Sequence, residues 1–196
     1  MIEKLINFEE SKNGVIRVGG IRSIVISTGG LGTLCTEVEK IMGRGAAAVL
    51  YSAGIEDGKY LTRKFKDGTV LGKKIDDPEE LLRTVLRYLT SAGWGLLDIV
   101  KLSIDEKHLI VRSSNPPEAD YFLEETSQKT KYPADNILRG LITGVAIETF
   151  ETDLDGIENK CRAIKDSHCE IEVKRFRKFK KNEIEARYKD NSDRHL

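Results

Sequence analysis

The sequence predicts an α/β domain in which several helices pack with an antiparallel sheet of about four strands. Apolar residues recur at helical spacing in segments 31–42, 81–89 and 136–149, which indicates amphipathic helices. Segments 94–112 and 157–175 show the partial alternation and the central polar turn of β-hairpins. A chain of 196 residues is long enough to bury a core of this kind as one domain.

The N-terminal segment has a strand signal followed by a helix signal. β-Branched residues on both sides of Gly19-Gly20 predict two short strands within 14–27, and we assign residues 1–30 to these N-terminal strands. In the stripe from Leu31 to about Met42, apolar residues stand at i, i+3, i+4, i+7, i+10 and i+11. This spacing predicts a helix whose apolar face, including Cys35, packs on the core.

The next helices are predicted from their boundaries. The small apolar residues of 44–53 indicate a helix that ends at Gly54, and 55–65 indicates a further helix. Asp76-Asp77-Pro78-Glu79-Glu80 is typical of a helix start, since an Asp cap, a proline in the first turn and early acids agree. We expect that helix to end at Gly93.

The charge pattern excludes some classes of partner. Lys plus Arg and Asp plus Glu total 32 each, so the chain has no overall charge that would favour nucleic acid or membranes. The basic run 174–181 is followed by acids, and we expect residues 176–196 to form a charged, solvated tail without direct nucleic-acid binding. The sequence contains neither a secretory signal nor an apolar run near the roughly 20 residues that span a bilayer, which predicts a cytoplasmic protein.

The three cysteines leave several interpretations open. An odd number in a chain without a secretion signal argues against a disulfide framework. Cys35 lies on an apolar helix stripe and is predicted to be a structural thiol. Glu158, Cys161 and Cys169 flank the turn of the last predicted hairpin, so they can hold a metal there or be a carboxylate and two half-buried thiols.

Aromatic residues beside the predicted helices suggest where a small molecule would bind. The apolar faces of 81–89 and 137–146 form either a plain core or the lining of a pocket. The candidate lining residues are Trp94, Tyr51, Tyr88, His108 and Phe122.

Several short motifs occur in an order that resembles the 4-vinyl reductase domain family. They are Tyr51-Ser52-Ala53-Gly54 with Gly58, Ala92-Gly93-Trp94-Gly95, Gly140 with Gly144, Glu158-x-x-Cys161, and Cys169-Glu170-Ile171-Glu172-Val173. The resemblance covers roughly residues 45–175 and is sharpest over 88–175, so we assign 31–175 to a domain of this type.

The resemblance implies a fold, a partner and a metal. The family shares the ligand-binding fold of a nitric-oxide-signalling domain and of a Golgi transport-particle component, and its members are often homodimers. In related phenol-sensing domains, zinc beside an aromatic-ligand pocket is held by one Glu and three Cys. Three of these ligands match Glu158, Cys161 and Cys169, whereas the remaining Cys falls on Asp135. Asp135 is therefore either a ligand or only a helix cap, and His168 is an alternative ligand.

These observations support three functional hypotheses. The preferred one is a stand-alone domain that binds a small hydrophobic or aromatic molecule and carries a structural zinc, without catalysis. The second, implied by the family name, is a reductase or reductase partner acting on a tetrapyrrole vinyl group, although the sequence has no nicotinamide or flavin fingerprint. The third is a dimeric interaction module in a larger assembly.

Overall fold

The computed structural model describes residues 8–10, 13–125, 130 and 132–179. The strands are β1 (Phe8–Glu10), β2 (Ile16–Val18), β3 (Ile21–Ser23), β4 (Leu96–Ser103), β5 (His108–Ser114), β6 (Asp155–Lys160) and β7 (Cys169–Lys174). The helices are α1 (Thr28–Met42), α2 (Ala46–Lys66), α3 (Pro78–Ser91), the single turn α4 (Pro117–Asp120) and α5 (Asn136–Phe150), and a π-helical turn, Tyr121–Glu125, follows α4.

The central sheet has four antiparallel strands in the order β4-β5-β7-β6, which confirms the predicted fold class. Each predicted hairpin forms, and the two hairpins join where β5 pairs with β7, with Leu109 opposite Val173. The last hairpin differs in detail from the prediction. Its first strand stops at Lys160, and a short 3-10 turn, Arg162–Ile164, occupies the rest of the segment predicted as strand.

The N-terminal strands form a sheet of their own. β2 and β3 pair around the Gly19-Gly20 turn as predicted, and β1 adds a strand that the sequence did not indicate. The charged tail predicted for 176–196 is described only as far as Phe179, so most of that prediction lies outside the described residues.

The core lies between the central sheet and helices α2, α3 and α5. Leu82, Val85 and Leu89 of α3 are fully buried, as are Leu138 and Ile142 of α5. α3 begins as predicted, because Asp77 accepts a hydrogen bond from the Glu80 amide at 2.7 Å. The burial of these stripes accounts for the helical periodicity in the sequence.

Two helix predictions were wrong. Segments 44–53 and 55–65 form one continuous helix, α2, because Gly54 does not end it. Gly54 is buried against α5, where a Cβ atom would lie 2.3 Å from the Ile137 carbonyl oxygen. On α1, Leu31 and Cys35 are buried, but Ile41 is 83% exposed, so only part of the predicted stripe packs on the core.

Within the described residues, none of the helices combines the length and the apolar character that crossing a membrane requires.

Candidate metal centre

Two carboxylate and two thiol side chains meet where α5 begins and where the β6–β7 hairpin turns. Asp135 directly precedes α5, Glu158 lies on β6, Cys161 follows β6, and Cys169 is the first residue of β7. One ligand atom of each lies within 4.8 Å of the corresponding atoms of the other three, and all four residues are buried. The structure thus brings together the four residues that sequence reasoning suggested as metal ligands.

The hairpin turn explains how the two thiols come together although eight positions separate them. The Cys161 amide donates to the Asp166 carboxylate at 2.8 Å, and the Asp166 amide donates to the Cys161 carbonyl oxygen at 3.1 Å. These reciprocal bonds fold residues 161–166 back on themselves. The chain then re-enters the sheet at Cys169 beside the point where it left at Cys161.

Each thiol receives a hydrogen bond from the backbone. The Ala134 amide donates to the Cys161 Sγ atom at 3.4 Å, and the Arg162 amide donates to the Cys169 Sγ atom at 3.2 Å. Backbone donors stabilise the thiolate form, which is the form that binds metal. Cys161 and Cys169 also pack with Ala119, Ala134 and Ala163 in a small apolar cluster.

Each carboxylate also receives one backbone donor and leaves one oxygen for another partner. The Ala119 amide donates to Asp135 Oδ1 at 2.9 Å, and the Asp135 amide donates to Glu158 Oε2 at 3.1 Å. Asp135 Oδ2 and Glu158 Oε1 are buried without a hydrogen-bond partner among the described residues. Buried polar atoms are normally satisfied, so these two oxygens fit a cation that the donor set surrounds.

The electrostatics of the cluster also favour a cation. Burial, reinforced by the neighbouring acids, raises the pKa of Glu158, and burial raises the pKa of Asp135. The hydrogen bond with Cys161, together with burial, raises the pKa of Cys169, whereas the same bond lowers the pKa of Cys161. Four buried acids that were all ionised would be costly unless a positive ion balanced them. Two sulfur and two oxygen donors suit tetrahedral zinc.

Asp135 does not cap α5, although it stands at the position where a cap is expected. Its side chain makes no capping hydrogen bond. Instead, Glu118 of α4 accepts from the amides of Ile137 and Leu138 at 3.0 and 2.8 Å. Glu118 is only 2% exposed, and burial together with the charge of Asp135 raises its pKa to about 8.

Sequence reasoning missed Glu118 because it lies 19 and 20 positions before the amides that it binds. Its only local signal is its place after Asn115-Pro116-Pro117, where the chain turns toward α5.

His168, the alternative ligand, is not a member of the group of four. Its Nε2 atom lies 3.5 Å from the Lys160 ammonium and 3.6 Å from the Glu170 carboxylate.

The five residues suggested for a ligand pocket do not converge. Tyr88 is buried in the main core with its ring edge against Phe65, and Trp94 packs on the same core. His108 lies on β5 with its Nε2 atom 2.7 Å from Glu172. Phe122 packs in the small apolar cluster that contains Cys161 and Cys169.

Tyr51 takes part in a polar contact between α2 and β6. Its hydroxyl donates to Asp155 Oδ1 at 2.5 Å and accepts from the Gly156 amide at 2.8 Å, while the Arg139 guanidinium stacks on its ring at 4.0 Å. An open cleft of about 530 Å³ at the end of α5 is lined by none of the five candidates. The lining residues of that cleft are Ile147, Glu148, Glu151, Thr152 and Asp153.

Comparison with known proteins shows the fold but no family. No model of a known protein family matches the chain, and no curated protein matches it in sequence. Among solved structures, the phenol-responsive sensory domain of the transcription activator PoxR, determined with phenol, is similar with a TM-score of 0.75 and 19% identity. That similarity covers 94% of this chain and 92% of the other.

Two further structures extend the comparison. A vinyl-4-reductase family protein from Methanocaldococcus jannaschii has a TM-score of 0.52 and 20% identity over 78% of this chain and 83% of that one. An H-NOX protein from S. oneidensis has a TM-score of 0.50 and 14% identity over 79% and 78%. These neighbours confirm, at the level of fold, the relationships that the sequence motifs suggested.

Proposed function

We propose that this chain binds a small apolar or aromatic molecule and carries a structural zinc ion held by Asp135, Glu158, Cys161 and Cys169. The observation that carries the proposal is the buried group of four donors within 4.8 Å. It occurs in a chain whose fold matches a phenol-responsive sensory domain over nearly its whole length. In this proposal residues 31–175 form the ligand-binding domain, 1–30 add the N-terminal strands, and 176–196 form a charged tail.

The metal would serve architecture rather than catalysis. Four protein ligands complete the tetrahedral shell that zinc prefers and leave no position for an activated water. The ion would connect the start of α5, through Asp135, to the β6–β7 hairpin. Because Phe122 packs beside Cys161 and Cys169, the same ion would also support the apolar surroundings of Phe122.

We place the apolar ligand beside the metal, next to Phe122. Of the five aromatic candidates, only Phe122 belongs to the apolar cluster around the two cysteines. The π-helical turn that carries Phe122 supports this placement, because such turns interrupt regular helices and are frequent at functional sites. Tyr88 and Trp94 are accounted for by core packing.

Native mass spectrometry of the full chain, purified without added zinc, tests the metal and the ligand together. We expect close to one zinc per chain, and we expect a Cys161→Ser/Cys169→Ser variant to lose it. Cys35→Ser is the matched control, since Cys35 is a buried cysteine outside the group of four, and it should keep the metal. Full occupancy in the double variant would refute the metal site, and a copurified flavin would favour the reductase hypothesis.

Calorimetric titration with phenol tests the ligand class separately. We expect saturable binding to the wild-type chain and loss of that binding in Phe122→Ala. The control Tyr60→Ala removes an aromatic ring that is 45% exposed on α2 and should leave binding unchanged. Equal phenol affinity in Phe122→Ala and the wild type would contradict the placement beside the metal.

A second candidate function, a homodimeric interaction module, is favoured by the exposed apolar side chains of one region. Among the residues that the structure describes, most of the exposed large apolar side chains fall within positions 24–49, including Ile24 at 85% and Ile41 at 83%. Exposed apolar side chains mark a protein interface where they join in a contiguous patch. Light scattering should give twice the chain mass for the wild type and for Val100→Glu on β4, but the mass of a monomer for Ile41→Glu. A monomeric wild type would exclude this dimer.

A further inference from the structure

We infer that Glu118 is a positioning residue for the metal site, because it takes over the cap of α5 and thereby directs the Asp135 carboxylate to the metal. The inference rests on the metal site proposed above and adds a residue that is not itself a ligand. Three observations support it. Glu118 accepts hydrogen bonds from the first free amides of α5, the backbone at Asp135 does not have the usual capping conformation, and one oxygen of Asp135 has no hydrogen-bond partner among the described residues.

Glu118 occupies the two amides that an N-terminal cap would use. A capping side chain accepts from the second or third residue of the helix that it precedes. Asp135 is the residue before α5, so these amides belong to Ile137 and Leu138. Both already donate to Glu118, at 3.0 Å to Oε1 and 2.8 Å to Oε2. The capping position is therefore filled by a carboxylate from another segment.

The backbone at Asp135 differs from that of the two helix caps that do function. Ser27 before α1 and Asp77 before α3 are extended, with ψ of 154° and 121°, and their side chains accept amide hydrogen bonds. Asp135 has ψ of 54° and makes no such bond. An Asp at a helix start ordinarily caps it, so its different conformation in this chain requires a local cause. The carboxylate of Glu118 is that cause.

The residue after Glu118 then fixes the direction of the freed side chain. The Ala119 amide donates to Asp135 Oδ1 at 2.9 Å, while Oδ2 is buried without a hydrogen-bond partner in the described part of the chain. Glu118 thus caps the start of α5, while the amide of the adjacent Ala119 orients the Asp135 carboxylate. Second-sphere partners that orient a ligand in this way commonly change metal affinity by about 10–100-fold.

Glu118 stands outside the group of four candidate ligands. Both of its oxygens are used by backbone amides. Its acceptor oxygens lie at the positive end of the α5 dipole, where the first amides of the helix need acceptors. Its role is therefore to act through Asp135.

Cobalt(II) titration of the full chain, followed by visible absorbance, tests this inference. Cobalt substitutes for zinc, and its ligand-field bands report the number and type of ligands. We expect Glu118→Ala to bind Co²⁺ about 10–100-fold more weakly than the wild type. Its cobalt spectrum should match that of Asp135→Ala, because both variants lose the same ligand. In the Glu118→Ala/Asp135→Ala double variant, the affinity should fall no further than in Asp135→Ala alone.

Two further variants separate positioning from general damage. Asp77→Ala removes the cap of α3 and should lower thermal stability while leaving Co²⁺ affinity unchanged. Glu118→Gln keeps the side-chain length and one acceptor oxygen, so its affinity should lie between those of the wild type and Glu118→Ala. If Glu118→Ala does not fold, Glu118→Gln replaces it, and an unchanged affinity there would overturn the inference.

The different failures are distinguishable. A wild-type chain that binds no Co²⁺ would refute the proposed metal site. A wild-type chain that binds Co²⁺ with the same affinity as Glu118→Ala would refute only the role of Glu118. An equal fold-loss on removing Glu118 with and without Asp135 would also refute that role, since Glu118 would then not act through Asp135.

Discussion

Replacing Gly140 by alanine is expected to destabilise the protein, although alanine favours helices. Gly140 lies in α5 where this helix crosses α2 at close range. A Cβ atom on Gly140 would lie 2.2 Å from the Tyr51 carbonyl oxygen and 2.9 Å from the Gly54 Cα atom. Because these atoms belong to the backbone, no side chain can rotate away to make room.

The size of the effect follows from two opposing contributions. Relieving the contact requires the helices to separate by roughly 0.8 Å, the shortfall from the 3.0 Å that real Cβ contacts respect. Overpacking of this type costs about 3 kcal/mol at the upper end of its usual range. The higher helix propensity of alanine over glycine offsets about 1 kcal/mol of this cost. We therefore expect a net loss of about 2 kcal/mol, or a fall in Tm of about 4–8 °C.

Urea unfolding followed by circular dichroism measures this difference, with Gly29→Ala as the matched control. Gly29 lies in the first turn of α1, and a Cβ atom there would have no other atom within 4 Å. The control should be as stable as the wild type or more stable by up to about 1 kcal/mol. If Gly140→Ala were stabilised like Gly29→Ala, the close approach of α2 and α5 would be refuted.

Two further predictions concern residues outside the metal site. Tyr51→Phe should lower the free energy of unfolding by about 1–2 kcal/mol, because it removes the hydroxyl that joins Asp155 and the Gly156 amide; an unchanged urea midpoint would contradict this role. In the native protein at pH 8, iodoacetamide should leave Cys35 unmodified, since burial raises its pKa to about 12 and keeps it a thiol. Rapid modification of Cys35 before unfolding would show that it is not buried as described.

The fold could be predicted largely from local signals. The Asp77-Pro78 helix start, the stripe of α3 and the turns of both hairpins depend on neighbouring residues, and all of them are observed. The single helix α2 could not be predicted in this way. Gly54 suggested a helix end, whereas its role is to admit the backbone of α5, which is distant in sequence.

The candidate site, like the fold, could be predicted only where its contacts are local in sequence or suggested by the family resemblance. Glu158, Cys161 and Cys169 could be placed together from the predicted hairpin, and family resemblance added only Asp135. The contribution of Glu118 depends on a contact made across 19 and 20 positions, for which the sequence offers no periodic signal. Helix-capping rules pointed to Asp135 because they consider only the adjacent residue.

X-ray absorption spectroscopy of the zinc-loaded chain tests the central claim most directly, because it counts the atoms bound to the ion. We predict two sulfur neighbours at about 2.3 Å and two oxygen neighbours at about 2.0–2.2 Å. A shell without sulfur, or one with a single sulfur, would show that Cys161 and Cys169 do not share a metal and would contradict the proposed zinc centre.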